Sequence, residues 1–125
     1  MSKIHSENTT PERKVRKIVF RLGYRYGLNV KNLPGKPDLV FPRLKKIILV
    51  HGCFWHWHKC KHLPKTNVDF WEQKLTENRK RDRRTRRELK KLGWESFVVW
   101  ECWTKDEEKL EKKLRRFLEK QPKLL

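Results

Sequence analysis

Ten residues, His51-Gly-Cys-Phe-Trp-His-Trp-His-Lys-Cys60, hold three of the five histidines, two of the three cysteines and two of the six tryptophans. Cys53, His58 and Cys60 can reach one tetrahedral ion from a single loop, and two thiolates with an imidazole favour zinc. Cys102 is the cysteine left to close the shell, and it follows an expected strand that could bring it back to this loop. With all four positions filled by protein, such a zinc would hold the fold and leave no place for chemistry. Three separate buried thiols are the alternative, a common state for core cysteines.

His51 and His56 are not used by that site. An imidazole fixed in direction between two zinc ligands can act as a general base near neutral pH, although a lone histidine is more often structural. Asp38 follows Pro34-Gly-Lys-Pro37, and the next expected strand brings His51 to the same end of the sheet. A carboxylate there, surrounded by arginines, suits a magnesium ion for phosphodiester chemistry, whereas an Asp after a proline turn is usually a turn cap. Phe54 and Trp55 either cover the zinc loop or wedge between base pairs. The residues alone leave these pairs of readings open.

Charge narrows the partner. Thirty-three Lys and Arg against fifteen Asp and Glu give a formal +18. That excess favours a polyanion, through displacement of counterions from phosphates. No apolar run is long enough to span a bilayer, and the N-terminus lacks the apolar core of a signal peptide. Six Trp and six Phe spread along the chain argue against disorder. An odd cysteine count with two cysteines beside histidines points to a metal site in a reducing compartment, hence a cytoplasmic, nucleoid-associated protein.

The elements that must position these residues follow from pattern. An N-terminal arm over residues 1–10 leads into a single domain over residues 11–125. Thr9 or Thr10 caps a first helix with Pro11 and Glu12 in its opening turn; Val15, Ile18, Val19 and Leu22 form its apolar stripe, and Gly23 ends it. Residues 24–30 alternate weakly and predict an edge strand. Asp38 to Pro42 and Lys46 to Val50 predict a hairpin. A long helix is expected from Val68 to Leu92, with Trp71, Leu75, Asn78, Asp82, Thr85, Leu89 and Leu92 on its inward stripe. The centre of that stripe is polar, and residues 79–87 are dominated by arginine and lysine, a pattern that favours phosphate contact over a merely solvated face. Gly93 ends this helix. A buried strand over Ser96 to Trp100 follows, then a closing helix over Lys105 to Lys120 with Leu110, Leu114, Phe117 and Leu118 inward. This order predicts an α/β fold, a central mixed sheet flanked by helices.

Taken together, Pro34-Gly-Lys-Pro-Asp38, Val50-His-Gly-Cys-Phe-Trp-His56, Phe70-Trp71, Arg81-Asp82, Leu92-Gly-Trp94 and Val99-Trp-Glu-Cys102 resemble the very short patch repair (Vsr-type) DNA mismatch endonucleases. The match runs in order through nearly the whole chain apart from the closing helix. The resemblance implies a restriction-endonuclease-like fold with a structural zinc. It also implies an activity: nicking double-stranded DNA 5′ of the thymine in a T·G mismatch left by deamination of 5-methylcytosine.

Carried across by position, the resemblance assigns Asp38 and the carbonyl of Val50 to magnesium. His56 matches the proposed general base, and His51 a second histidine that supports the scissile phosphate or the water. Glu12 matches an acidic residue that reaches the water shell of the metals, and Cys53, His58, Cys60 and Cys102 match the zinc ligands. Phe54 and Trp55 match intercalating aromatics, Met1 a methionine entering from the other groove, and Lys74, Asn78 and Glu101 groups that contact the recognition bases. The implied cofactors are Mg2+ and Zn2+. The implied partners are mismatched duplex DNA and other repair proteins, with the enzyme acting as a monomer. Val50 stands where some relatives carry Thr, and Trp57 replaces a His. Without mismatch preference, the same residues would suit a restriction-like or mobile-element nicking enzyme. Without catalysis, they would suit a zinc-stabilised DNA-binding module.

Overall fold

The computed structural model describes residues 10–120 except 29, 31 and 61, so the expected role of Met1 lies outside the described residues. Helix α1 spans Thr10–Arg21, and strands β1 (Leu39–Phe41) and β2 (Lys46–His51) follow. Helix α2 spans Val68–Lys91, strand β3 Glu95–Trp100, a 3-10 turn Glu101–Lys105 and helix α3 Glu107–Glu119. Among the described residues no helix is long and apolar enough to cross a membrane.

Strand β2 is central. It pairs antiparallel with β1, Leu39 opposite Ile48, and parallel with β3, Ile48 opposite Phe97 and His51 opposite Trp100. The mixed sheet flanked by helices is therefore as the pattern predicts. Alternation along the strands divides the core in two. Leu39, Phe41, Ile48 and Val99 pack with Val15, Ile18 and Val19 of α1 and Leu110, Leu114, Phe117 and Leu118 of α3. On the opposite face, Val40, Ile47 and Leu49 pack with Leu89 of α2.

The connections that leave α1 and α2 turn on glycines that the sequence marks as helix ends. After α1, Gly23 (φ 97°) donates to the Phe20 carbonyl while Tyr24 donates to that of Val19. After α2, Gly93 (φ 91°) and Trp94 repeat the pattern on Lys90 and Leu89. This paired capping satisfies carbonyls that the helix leaves open, and a residue with a Cβ is disfavoured at such a φ. Lys46 is 1% exposed, and its Nζ donates to the carbonyls of Phe117 and Lys120 at 2.6 Å each, closing the end of α3.

Four expectations need correction. Among the described residues of 24–30 there is no strand; a single bridge joins Gly27 to Val40, where a glycine with no side chain to pack weakens further pairing. Strand β3 is half-buried rather than buried, with only Val99 fully enclosed, since it forms one edge of the sheet. Leu92 is 57% exposed, not inward, because it is the residue at which α2 has already begun to turn away. The closing helix starts at Glu107, where the Asp106 carboxylate accepts from the Lys109 amide and caps it; residues 101–105 are a 3-10 turn.

Candidate active site and metal centre

The loop after β2 folds on its own backbone. His56 N–H donates to the Gly52 carbonyl (3.2 Å), Trp57 to Phe54 (3.1 Å) and His58 to Cys53 (2.8 Å). Trp57, between the two histidines, has a left-handed φ of 50°, rare for a bulky residue. The reversal there lets neighbouring histidines serve different centres: His56 meets α2, and His58 meets the cysteines. Trp100 stands between them, its ring stacked on His58 (centroids 4.2 Å, 16°) and set edge-on to His51 (5.3 Å, 77°).

The ligand atoms of Cys53, His58, Cys60 and Cys102 all lie within 4.8 Å of one another. The Nδ1 of His58 is 3.2 Å from the sulfur of Cys60 and 3.6 Å from that of Cys102. A tetrahedral zinc with ordinary bond lengths separates its ligand atoms by roughly 3.3–3.8 Å, so the spacing fits one ion. Burial pushes the Cys53 thiol up to about 12, and the neighbouring sulfurs push the same way, against the Cys102 N–H that donates to it. Three sulfurs and an imidazole crowded at this spacing suit a cation, which would deprotonate the thiols on binding. Burial, then Lys59, lowers the pKa of His58 and keeps its imidazole in the neutral, ligating form. The 3-10 turn after β3, absent from the sequence reading, is what brings Cys102 back to this loop. Glu101 in the same turn accepts the Cys53 N–H at Oε1 (3.2 Å), so this exposed carboxylate also holds the loop.

A cleft of about 380 Å³ lies beside the Cys/His group, lined by Asp38, Val50, His51, His56, Arg81 and Asp82 among others. Asp38 Oδ2 accepts the Val50 N–H at 2.6 Å. Burial raises Asp38 from 3.8 to about 7; the Val50 amide opposes this, and Glu12 adds to it. Glu12, buried on the first turn of α1 and paired with Arg16 (3.2 Å), thus stands beside Asp38. A buried carboxylate pushed this far up, next to a second one, is a place where a hard divalent cation relieves repulsion.

The imidazoles of His51 and His56 stack face to face, centroids 3.8 Å apart at 5°. Parallel rings cannot both aim in-plane lone pairs at one ion, so this pair with Asp82 is better suited to moving protons than to holding a metal. Burial, then His56, pushes His51 down to about 4, which leaves it neutral at physiological pH. His51 Nδ1 is buried and without a hydrogen-bond partner among the described residues. His56 Nδ1 meets Asp82 Oδ2 at 2.6 Å. A carboxylate oxygen at this distance favours the neutral tautomer that carries its proton on Nδ1, which would leave the Nε2 lone pair free to take a proton.

Asp82 is the site residue that the sequence reading missed, although it stands in the polar centre of the α2 stripe and in the Arg81-Asp82 motif. The same stripe supplies Asn78, whose amide donates to the Trp55 carbonyl at 3.0 Å, and Trp71. Phe54, Trp55 and Trp71 form one cluster, with centroids 5.2–5.9 Å apart. Within it Trp55 is 50% exposed. Lys74 is exposed on the same helix, a turn before Asn78.

A family profile described as DNA mismatch endonuclease Vsr matches residues 1–62. A type II nicking enzyme, V.XorIIP, of Xanthomonas oryzae pv. oryzae is 45% identical over 121 residues, covering 95% of this chain and 89% of that protein. A second type II nicking enzyme, V.NmeAIP of Neisseria meningitidis, is 45% identical over 120 residues, covering 94% and 86%. The DNA mismatch endonuclease Vsr of Escherichia coli is 37% identical over 112 residues, covering 88% of this chain and 72% of that protein.

Proposed function

Since the chain belongs to the Vsr family of DNA mismatch endonucleases, we propose that it nicks double-stranded DNA 5′ of the thymine in a T·G mismatch. The observation that carries this reading is the His56–Asp82 pair at 2.6 Å, in the same cleft as Asp38 and His51. Pure binding has no need of an oriented base beside a carboxylate with a raised pKa.

In this reading Asp38 and the Val50 carbonyl would hold magnesium, with Glu12 behind Asp38. Such an ion would supply positive charge to oppose the negative charge that builds during cleavage. His56 takes a proton from the attacking water at Nε2, and Asp82 fixes its tautomer and stabilises the imidazolium that forms. His51, held neutral by burial, orients the phosphate or the water by hydrogen bonding. The product strand carries a 5′-phosphate. Phe54 and Trp55 enter the stack beside the mismatch, while Lys74 and Asn78 read bases from α2. Cys53, His58, Cys60 and Cys102 hold zinc, which keeps both wedge and base on a rigid loop. Because every group in this scheme comes from one chain, a monomer suffices.

The test is nicking of a labelled T·G duplex with magnesium by Asp38→Ala and His56→Ala proteins. Both should lose nearly all activity, and full-rate cutting by either overturns the assignment. The names of the two nicking-enzyme relatives favour a second reading, nicking without strict mismatch preference. Comparing T·G, G·C and A·T versions of one duplex separates the two.

A further inference from the structure

The acids of the cleft are spoken for: Asp82 by His56, and Asp38 by the Val50 amide with Glu12 beside it. Two cations line the same cleft, Lys36 from the loop before β1 and Arg81 from α2, and among the described residues neither is in an ion pair. Both are solvent-exposed residues, and both line the cleft that also holds Asp38, His51, His56 and Asp82.

The backbone that presents Lys36 is unusual. Gly35 (φ 76°) and Lys36 (φ 47°) are both left-handed, and Pro37 is buried directly behind them. A Cβ on Gly35 would fall 2.3 Å from Cγ2 of Thr85, so the loop touches α2 there and only glycine permits it. Thr85 lies one helical turn beyond Arg81. The Gly35–Thr85 contact therefore sets the distance between the two cation-bearing walls. A side-chain-bearing residue at φ 47° is held against its intrinsic preference, and such strain gathers where a group must point one way.

We propose that Lys36 and Arg81 form a two-walled clamp on the phosphodiester being cut, each engaging a non-bridging oxygen. This rests on the nicking reading above. The clamp holds the phosphate against Asp38 and His56, and its cations oppose the charge that builds on the phosphate oxygens as water attacks.

Lys36→Gly is the informative variant, because glycine suits the left-handed backbone and the ammonium is removed with its side chain at no cost in backbone strain. Its melting temperature should equal or exceed that of the wild type, while its single-turnover nicking at saturating DNA falls roughly 10- to 100-fold. Arg81→Gln should fall by a similar factor, and Lys112→Gln, a charge loss on α3, should nick at the wild-type rate. A second readout needs no cutting. Replacing the target phosphate with a neutral methylphosphonate should weaken wild-type binding, and weaken it much less in Lys36→Gly and Arg81→Gln. Wild-type nicking rates in both variants, with the methylphosphonate penalty unchanged, overturn the clamp while leaving the nicking reading intact. A wild type that nicks no duplex, yet shows the methylphosphonate penalty only when Lys36 and Arg81 are present, upholds the clamp and overturns the nicking reading.

Discussion

Replacing Asp38 with Asn should abolish nicking and at the same time stabilise the magnesium-free protein above neutral pH. Burial, assisted by Glu12, holds the Asp38 carboxyl at about 7 against an ordinary 3.8. Between those values the folded protein binds a proton that the unfolded chain has released, so wild-type stability falls as pH rises through the window. The penalty is absent below about pH 4 and complete above about pH 7. At about 1.4 kcal/mol per tenfold change in proton affinity, the full cost is roughly 4 kcal/mol. An Asn oxygen accepts the Val50 amide less strongly than a carboxylate does, so about half of that, near 2 kcal/mol, is the expected gain. For a domain of this size the gain corresponds to roughly 6–10 °C in melting temperature. Thermal unfolding of zinc-loaded, magnesium-free wild type and Asp38→Asn at pH 5 and pH 8.5 is the assay. Zinc affinity also varies with pH, but that effect cancels in the difference between the two proteins. The difference should be small at pH 5 and large at pH 8.5. An equal difference at both pH values, or destabilisation at pH 8.5, refutes the electrostatic account of the cleft.

Three further outcomes follow from the geometry. Asp82→Asn should leave far-UV circular dichroism unchanged and cut the nicking rate by about two to four orders of magnitude, since the amide favours the wrong tautomer of His56; a loss under threefold would remove Asp82 from the site. Cys102→Ser should lower zinc content from one equivalent and lower the melting temperature, as read by a chromogenic zinc chelator and thermal unfolding; unchanged zinc content would show that three ligands suffice. Trp55→Ala should weaken binding to a T·G duplex roughly 10- to 100-fold, the cost of one lost base–aromatic stack, in a fluorescence-anisotropy titration; unchanged affinity would return Trp55 to a covering role.

Much of this architecture is readable from pattern because its signals are local. Glycines 23 and 93 end two helices whose apolar stripes are visible in the sequence, and the hairpin and the inward face of α3 follow from alternation and periodicity. The Cys53, His58 and Cys60 spacing points to a metal without any tertiary knowledge. What escaped depends on contacts between distant segments. The Tyr24 stretch looks like a strand, but Gly27 forms only one bridge. Leu92 fits the helical period and is nevertheless exposed, because the chain leaves the helix there. Asp82 was visible as a polar interruption in a stripe and as part of the Arg81-Asp82 motif; its pairing with His56, 26 residues away, appears only once α2 crosses the Cys/His loop. The left-handed Lys36 and Trp57 carry no sequence signal of their own, since neither residue type is favoured in that conformation.

The most direct measurement is magnesium-dependent cleavage of one duplex prepared with T·G, G·C or A·T at a single position, each strand labelled separately. The account predicts a single nick, 5′ of the mismatched thymine and only in that strand, at a rate at least about 100-fold above the matched duplexes. That ratio corresponds to roughly 3 kcal/mol of discrimination in the transition state. Equal nicking of all three duplexes would contradict mismatch recognition, and no cutting of any would contradict the catalytic assignment of Asp38, His56 and Asp82.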